Sequence, residues 1–151
     1  MQEKKLVGKR IRMSLAEDKT FALWHSFMPE RMKIRHKLSN DLISMRVYDK
    51  PIEPENSSQQ FDKWAAVEVD DLNYIPGGME SFMLSAGLYA VFDYKGSNTD
   101  SSIFIYIFME WLPNSNYVID ERPHFEVLGA KYKNNDPNSE EEIWVPVRPK
   151  Q

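Results

Sequence analysis

The chain contains no cysteine. That excludes disulfides, thiol nucleophiles, thiolate metal sites and thiol-based redox switches. Long apolar runs are also missing: nothing approaches the roughly 20 apolar residues a membrane-spanning helix needs. The charged start Met1-Gln2-Glu3-Lys4-Lys5 leads into no apolar signal segment, so a cytoplasmic location is expected. Histidine is scarce. His25, His36 and His124 are the only three and fall on different expected elements, which argues against a metal site. There is no phosphate-cradling Gly-rich loop, no His-Glu-x-x-His and no Gly-x-Ser-x-Gly elbow, and no cofactor is expected. Positive charge is in deficit, 19 Lys and Arg against 23 Asp and Glu for a net −4, which disfavours a free-standing nucleic-acid binder.

What the chain does have is ring surface. Its 8 Phe, 7 Tyr and 4 Trp make up 13% of 151 residues, beside 8 Met. This suits a chain that lines a pocket with flat apolar walls. The length fits one domain, residues 1–151, with a core of its own.

Hydrophobic alternation predicts a first strand from Leu6 to Met13. Ser14-x-x-Glu17 and Asp18 are helix-start signals, and Phe21, Trp24, Phe27 and Met28 then recur at helical spacing. Strands are expected at 42–48 and 61–69, around a polar proline-bearing loop. Pro76-Gly77-Gly78 breaks the chain at its midpoint, and Glu80 to Tyr94 follows as a long β-rich stretch with Gly87 as a bend. Ser101 to Leu112 is ambiguous. Its β-branched run favours a buried strand; the capping signal Ser97-x-x-Asp100 and Pro113 favour a helix. Further strands are expected at 117–128 and 142–147. With Ser101–Leu112 helical, the pattern is strand–helix–strand–strand twice, in halves of about 1–75 and 76–151. Such a chain is α+β: duplicated modules form one antiparallel sheet with two helices on one face and a groove between the halves.

Within each strand, alternation separates two faces. Trp64 lies opposite Ala65, Val67 and Val69. Ser44, Arg46 and Tyr48 oppose Ile43, Met45 and Val47. His124 and Glu126 oppose Phe125 and Val127. If the small apolar set of the third strand lies under the helices, the free face collects Trp64, Tyr48, Glu126 and Tyr89. That is an aromatic box with one carboxylate, suited to a flat cationic ligand. The alternative from pattern alone is a set of half-exposed sheet aromatics, with Glu126 solvated or paired to Arg46.

Several segments resemble the GyrI-like effector-binding domain found in AraC-type and multidrug-responsive MerR-type bacterial regulators. They are Pro76-Gly77-Gly78-Met79-Glu80, Ala86 through Gly96, Glu110-Trp111-Leu112-Pro113, Arg122-Pro123-His124-Phe125-Glu126-Val127 and Glu142-Ile143-Trp144-Val145-Pro146-Val147. Motif order is kept over nearly the whole chain. The resemblance implies that 101–112 is helical and that a small-molecule groove lies between the halves. It implies that Glu126 meets cationic aromatic ligands and that Tyr89 and Trp111 border the groove. Only about 17 residues precede the first expected helix, too few for a helix-turn-helix pair, so direct DNA binding is not expected and the ligand module is read as standing alone. The expected function is binding of amphipathic, aromatic and cationic compounds by Glu126, Trp64, Tyr89, Trp111 and Tyr48. A hydrolase of reactive small molecules in the same groove, with Glu126 and Tyr89 catalytic, is one alternative. A protein-interaction module like the gyrase-inhibitory relatives is another.

Overall fold

The computed structural model describes residues 1–151. Eight strands and two helical segments appear in the order β1 (Lys4–Met13), α1 (Thr20–Phe27), a 3-10 turn (Met28–Lys33), β2 (Leu42–Val47), β3 (Phe61–Val69), β4 (Glu80–Leu84), β5 (Tyr89–Lys95), α2 (Ser102–Tyr106), a π-helical turn (Ile107–Trp111), α3 (Leu112–Asn114), β6 (Tyr117–Ile119), β7 (His124–Leu128) and β8 (Glu140–Pro149). The fold is α+β, as expected. Ser101–Leu112 is helical. Pro29 sits at the start of the 3-10 turn that extends α1, where a missing N–H costs nothing.

All strand pairing is antiparallel, in the order β4-β1-β3-β2-β7-β8-β5, with β6 on β8. The orders β1-β3-β2 and β5-β8-β7 mirror each other about the β2–β7 seam. Glu80–Tyr94 is not one bent strand. It divides into β4 and β5, which lie at opposite edges of the sheet. Laid flat, seven strands would separate those edges by roughly 29 Å, whereas the chain from Leu84 to Tyr89 reaches at most about 18 Å. The sheet must therefore curl. Its inner face is filled by Leu6, Met45, Trp64, Leu84 and Phe125, with Tyr89 and Trp144 against them, so the cluster draws on every strand of the path. The N-terminus closes the gap: the Met1 ammonium donates to the Gly87 carbonyl at 2.9 Å, and Gly87 N–H donates to Met1 O at 3.1 Å.

The outer face carries both helices. Leu23 and Phe27 of α1 bury against Val7, Ala65, Val67 and Val69. Ile107 and Leu112 bury against Ile143, Val145 and Val147. Phe27 is fully buried, so truncating it to alanine should cost about 3–5 kcal/mol. Each helix thus covers an outer portion of the sheet, and the seam between them is left to β2 and β7. Ser14 and Glu17 close a turn ahead of α1 rather than capping it, with Glu17 N–H donating to Ser14 Oγ at 3.0 Å. Asp18 is the residue beside the helix start, accepting from Thr20 N–H at 2.8 Å. No helix is long and apolar enough to cross a membrane.

Candidate functional site

Strand register decides which side chains meet. Ser44 pairs with both Ala65 and Glu126, and Arg46 pairs with both Lys63 and His124. Paired residues share a face, so Ser44, Arg46, Lys63, His124 and Glu126 all lie on the outer, helix-bearing face. Glu126 also pairs with Ile143, which places Glu141 on that face too. These polar groups occupy the strip between the two helices.

Two connected spaces open on this strip. A narrow slot of ≈ 40 Å³ is floored by Ser44, Arg46, His124 and Glu126 and walled by Phe104 and Phe108. It adjoins a cleft of ≈ 470 Å³ through Arg46, Tyr48, Ile52, Phe104 and Phe108, which border both. The cleft runs between α2 with its π-turn and the loop around residues 52–59. Glu53, Glu55 and Asp100 line it, and Arg46 is the one cationic side chain on either lining.

Within this site the charges are set apart rather than paired. Neither Arg46 nor Glu126 makes an ion pair within 4.0 Å. The Arg46 guanidinium instead lies 5.2 Å from the centre of the Phe61 ring. Lys63 is buried; burial first, and then the Arg46 charge, push its ammonium down to about 8, while Glu126 opposes the shift. Glu141 is also buried and its Oε2 has no partner. Burial first, then the Glu126 carboxylate, push the Glu141 carboxyl well above the ordinary range. A proton retained on Glu141 is shared with the Glu126 carboxylate. His124 sits edge-on to Tyr48 at 5.8 Å and near Phe108 at 6.3 Å. Burial first, and then Arg46, push it down to about 3, so it is a neutral part of the wall.

The structure brings together only part of the expected box. Glu126 and Tyr48 meet in the slot. Trp64 and Tyr89 do not join them: Trp64 pairs with Met45, and Tyr89 with Pro146, which places both on the inner face. Trp64 is buried edge-on to Phe82 at 5.5 Å. Tyr89 packs edge-on to Phe125 at 5.3 Å and Trp144 at 5.9 Å, and its hydroxyl donates to Pro123 O at 2.7 Å. Trp111 lines neither slot nor cleft. It stands perpendicular to Phe92 at 5.0 Å and stacks on Tyr117 at 6.4 Å, because the π-turn interrupts the helical period between Phe108 and Trp111. Residues that the sequence reading did not assign to the site are Lys63, Glu141, Ser44, His124, Phe104 and Phe108. The signal for Lys63 was its parity with Ala65, Val67 and Val69: a lysine set within an otherwise apolar stripe. Glu141 stands in line with the stripe of Ile143, Val145 and Val147 in the same way.

Comparison with known proteins bears on this site. A family model described as a GyrI-like small molecule binding domain matches residues 1–148. A search of curated proteins finds no match. Among solved structures, SAV2435 bound to tetraphenylphosphonium is similar with a TM-score of 0.69 and 17% identity, over 98% of this chain and 90% of that one. EcmrR in complex with DNA gives a TM-score of 0.71 and 17% identity, over 99% of this chain and 56% of that one. An integron cassette protein of Vibrio cholerae gives 0.65 and 16%, over 98% and 92%.

Proposed function

The chain belongs to the GyrI-like family of small-molecule binding domains, and from that premise we propose that it binds amphipathic aromatic compounds carrying positive charge. The carrying observation is Glu126, a carboxylate with no ion-pair partner on the floor of a slot walled by rings. A carboxylate among apolar walls costs several kcal/mol unless it is paired, and a ligand cation supplies the pair. Tyr48, Phe104 and Phe108 supply flat surface, each cation–π contact being worth about 0.5–2 kcal/mol. Glu53, Glu55 and Asp100 along the cleft draw cations toward the entrance. The ligand held by SAV2435, an aromatic cation, is of the same chemical kind.

The test is a titration of tetraphenylphosphonium, followed by thermal shift and calorimetry. At 100 times the dissociation constant, linkage adds about 2.7 kcal/mol, a shift of roughly 5–11 °C for a chain of this length. Glu126→Gln should remove most of the shift; Trp64→Phe, altered on the inner face, should keep it. An equal response to neutral and anionic aromatics, unchanged in Glu126→Gln, would overturn the reading.

A further inference from the structure

Arg46 and Glu126 are diagonal neighbours across the β2–β7 pair, since Arg46 is registered with His124, two residues from Glu126. Diagonal neighbours on one face stand roughly 7–8 Å apart at the backbone, well within reach of a long side chain. Opposite charges so placed would ordinarily pair. Here they do not: both line the ≈ 40 Å³ slot, and neither has an ion-pair partner. A site for a simple cation has no use for a guanidinium beside its carboxylate that is held only by the Phe61 ring, since that charge repels the ligand. Lys63, facing Arg46 across β2–β3, adds a second positive charge behind it. Of the carboxylates near these cations, Asp18 accepts from Thr20 N–H at 2.8 Å and makes no ion pair with either cation, and Glu141 holds its proton.

We infer that the slot recognises an aromatic zwitterion: an amine on Glu126, an adjacent acidic group on Arg46, and the ring in the cleft between Phe104, Phe108 and Tyr48. This rests on the aromatic-cation reading above and narrows it. A carboxylate at Arg46 makes charge-assisted, bidentate hydrogen bonds with the guanidinium fork and relieves its repulsion with Lys63. The two charges of an α-amino acid lie a few ångströms apart, which suits two side chains on neighbouring strands facing one slot. The ≈ 470 Å³ cleft has room for a bicyclic ring beyond them.

Tryptamine, tryptophan and indole-3-propionate share one ring and differ in whether they carry the amine, both charged groups or the carboxylate. Calorimetry of the intact chain should show tryptophan binding at least tenfold more tightly than tryptamine. Arg46→Gln should abolish that advantage and leave tryptamine bound at least as well as before. Arg46→Lys should keep only part of it, because an ammonium lacks the fork. Glu126→Gln should weaken tryptamine and spare indole-3-propionate. The wild-type comparison needs no variant, so a misfolded Arg46→Gln does not blunt the test. If tryptamine matches or exceeds tryptophan in the wild type, the zwitterion inference falls and the cation reading stands. If no indole binds but tetraphenylphosphonium does, the outcome is the same. If none of the four binds, both fall.

Discussion

Lys63 carries a stability cost that can be measured. The side chain is buried on β3, and its ammonium titrates at about 8 rather than 10.5, with burial the largest cause and the Arg46 charge the next. A drop of that size corresponds to about 3 kcal/mol spent on keeping the charge in the folded protein. The attraction of Glu126 and Asp18 is already contained in the shift. Methionine has nearly the same length and no charge. Lys63→Met should therefore stabilise the protein at pH 7 by about 2–3 kcal/mol, raising Tm by roughly 4–12 °C. The pH dependence is the sharper signature. Between about 8 and 10.5 the native chain has shed this proton and the unfolded chain still holds it. The unfolded state then binds more protons, so wild-type stability rises with pH across that window. The mutant lacks this rise. Its advantage should be full below pH 8 and vanish above 10.5, as read by differential scanning calorimetry from pH 6 to 10.5. A mutant no more stable than wild type at pH 7, or an advantage that does not shrink with pH, would refute the reasoning.

Glu141→Gln acts in a different window and with the opposite slope. The native chain keeps the Glu141 proton above the ordinary carboxyl value of 4.5, where the unfolded chain releases it, so wild-type stability falls as pH rises from there. Glutamine retains a donor for Glu126, and its advantage should grow with pH from about 4.5 upward in a Tm-against-pH series. Tyr89→Phe deletes the hydrogen bond to Pro123 O on the inner face and should cost about 1 kcal/mol in urea unfolding, without changing tetraphenylphosphonium affinity. Gly8→Ala should be severe, about 3 kcal/mol or more, because a Cβ there would overlap the Ala65 carbonyl where β1 lies against β3; its Tm and yield of folded protein report this.

The strands and helices of this chain are written locally, and so they were legible. The third strand ends where alternation placed it, at Val69, and the sorting of Trp64 from Ala65 and Val67 within that strand is correct. What alternation does not contain is how the faces of one strand match those of the next, because that is set by pairing between residues far apart in sequence. Glu126 joins the face of Ser44 and Ala65 rather than that of Trp64 through two ladders, β2–β3 and β2–β7, neither of which any single strand encodes. The division of Glu80–Tyr94 is nonlocal for the same reason. Only the curl of the whole sheet sends β4 to one edge and β5 to the other.

The site itself leaves a subtler local trace. Each helix-covered strand carries an apolar stripe, and in two of them a charge stands in line with it, Lys63 before Ala65 and Glu141 before Ile143. On β2 the outward face is polar at both Ser44 and Arg46, although Ser44 is buried. A face that helices covered throughout would be apolar throughout, since each buried charge costs stability that packing alone would not maintain. The polar positions fall where the two helices part, on β2 and β7 and on the adjoining parts of β3 and β8. Conflict between alternation and burial therefore marks the seam, and the seam is where Glu126 and Arg46 stand without an ion pair. Here alternation and packing disagree, which is where a binding site would be expected to override packing.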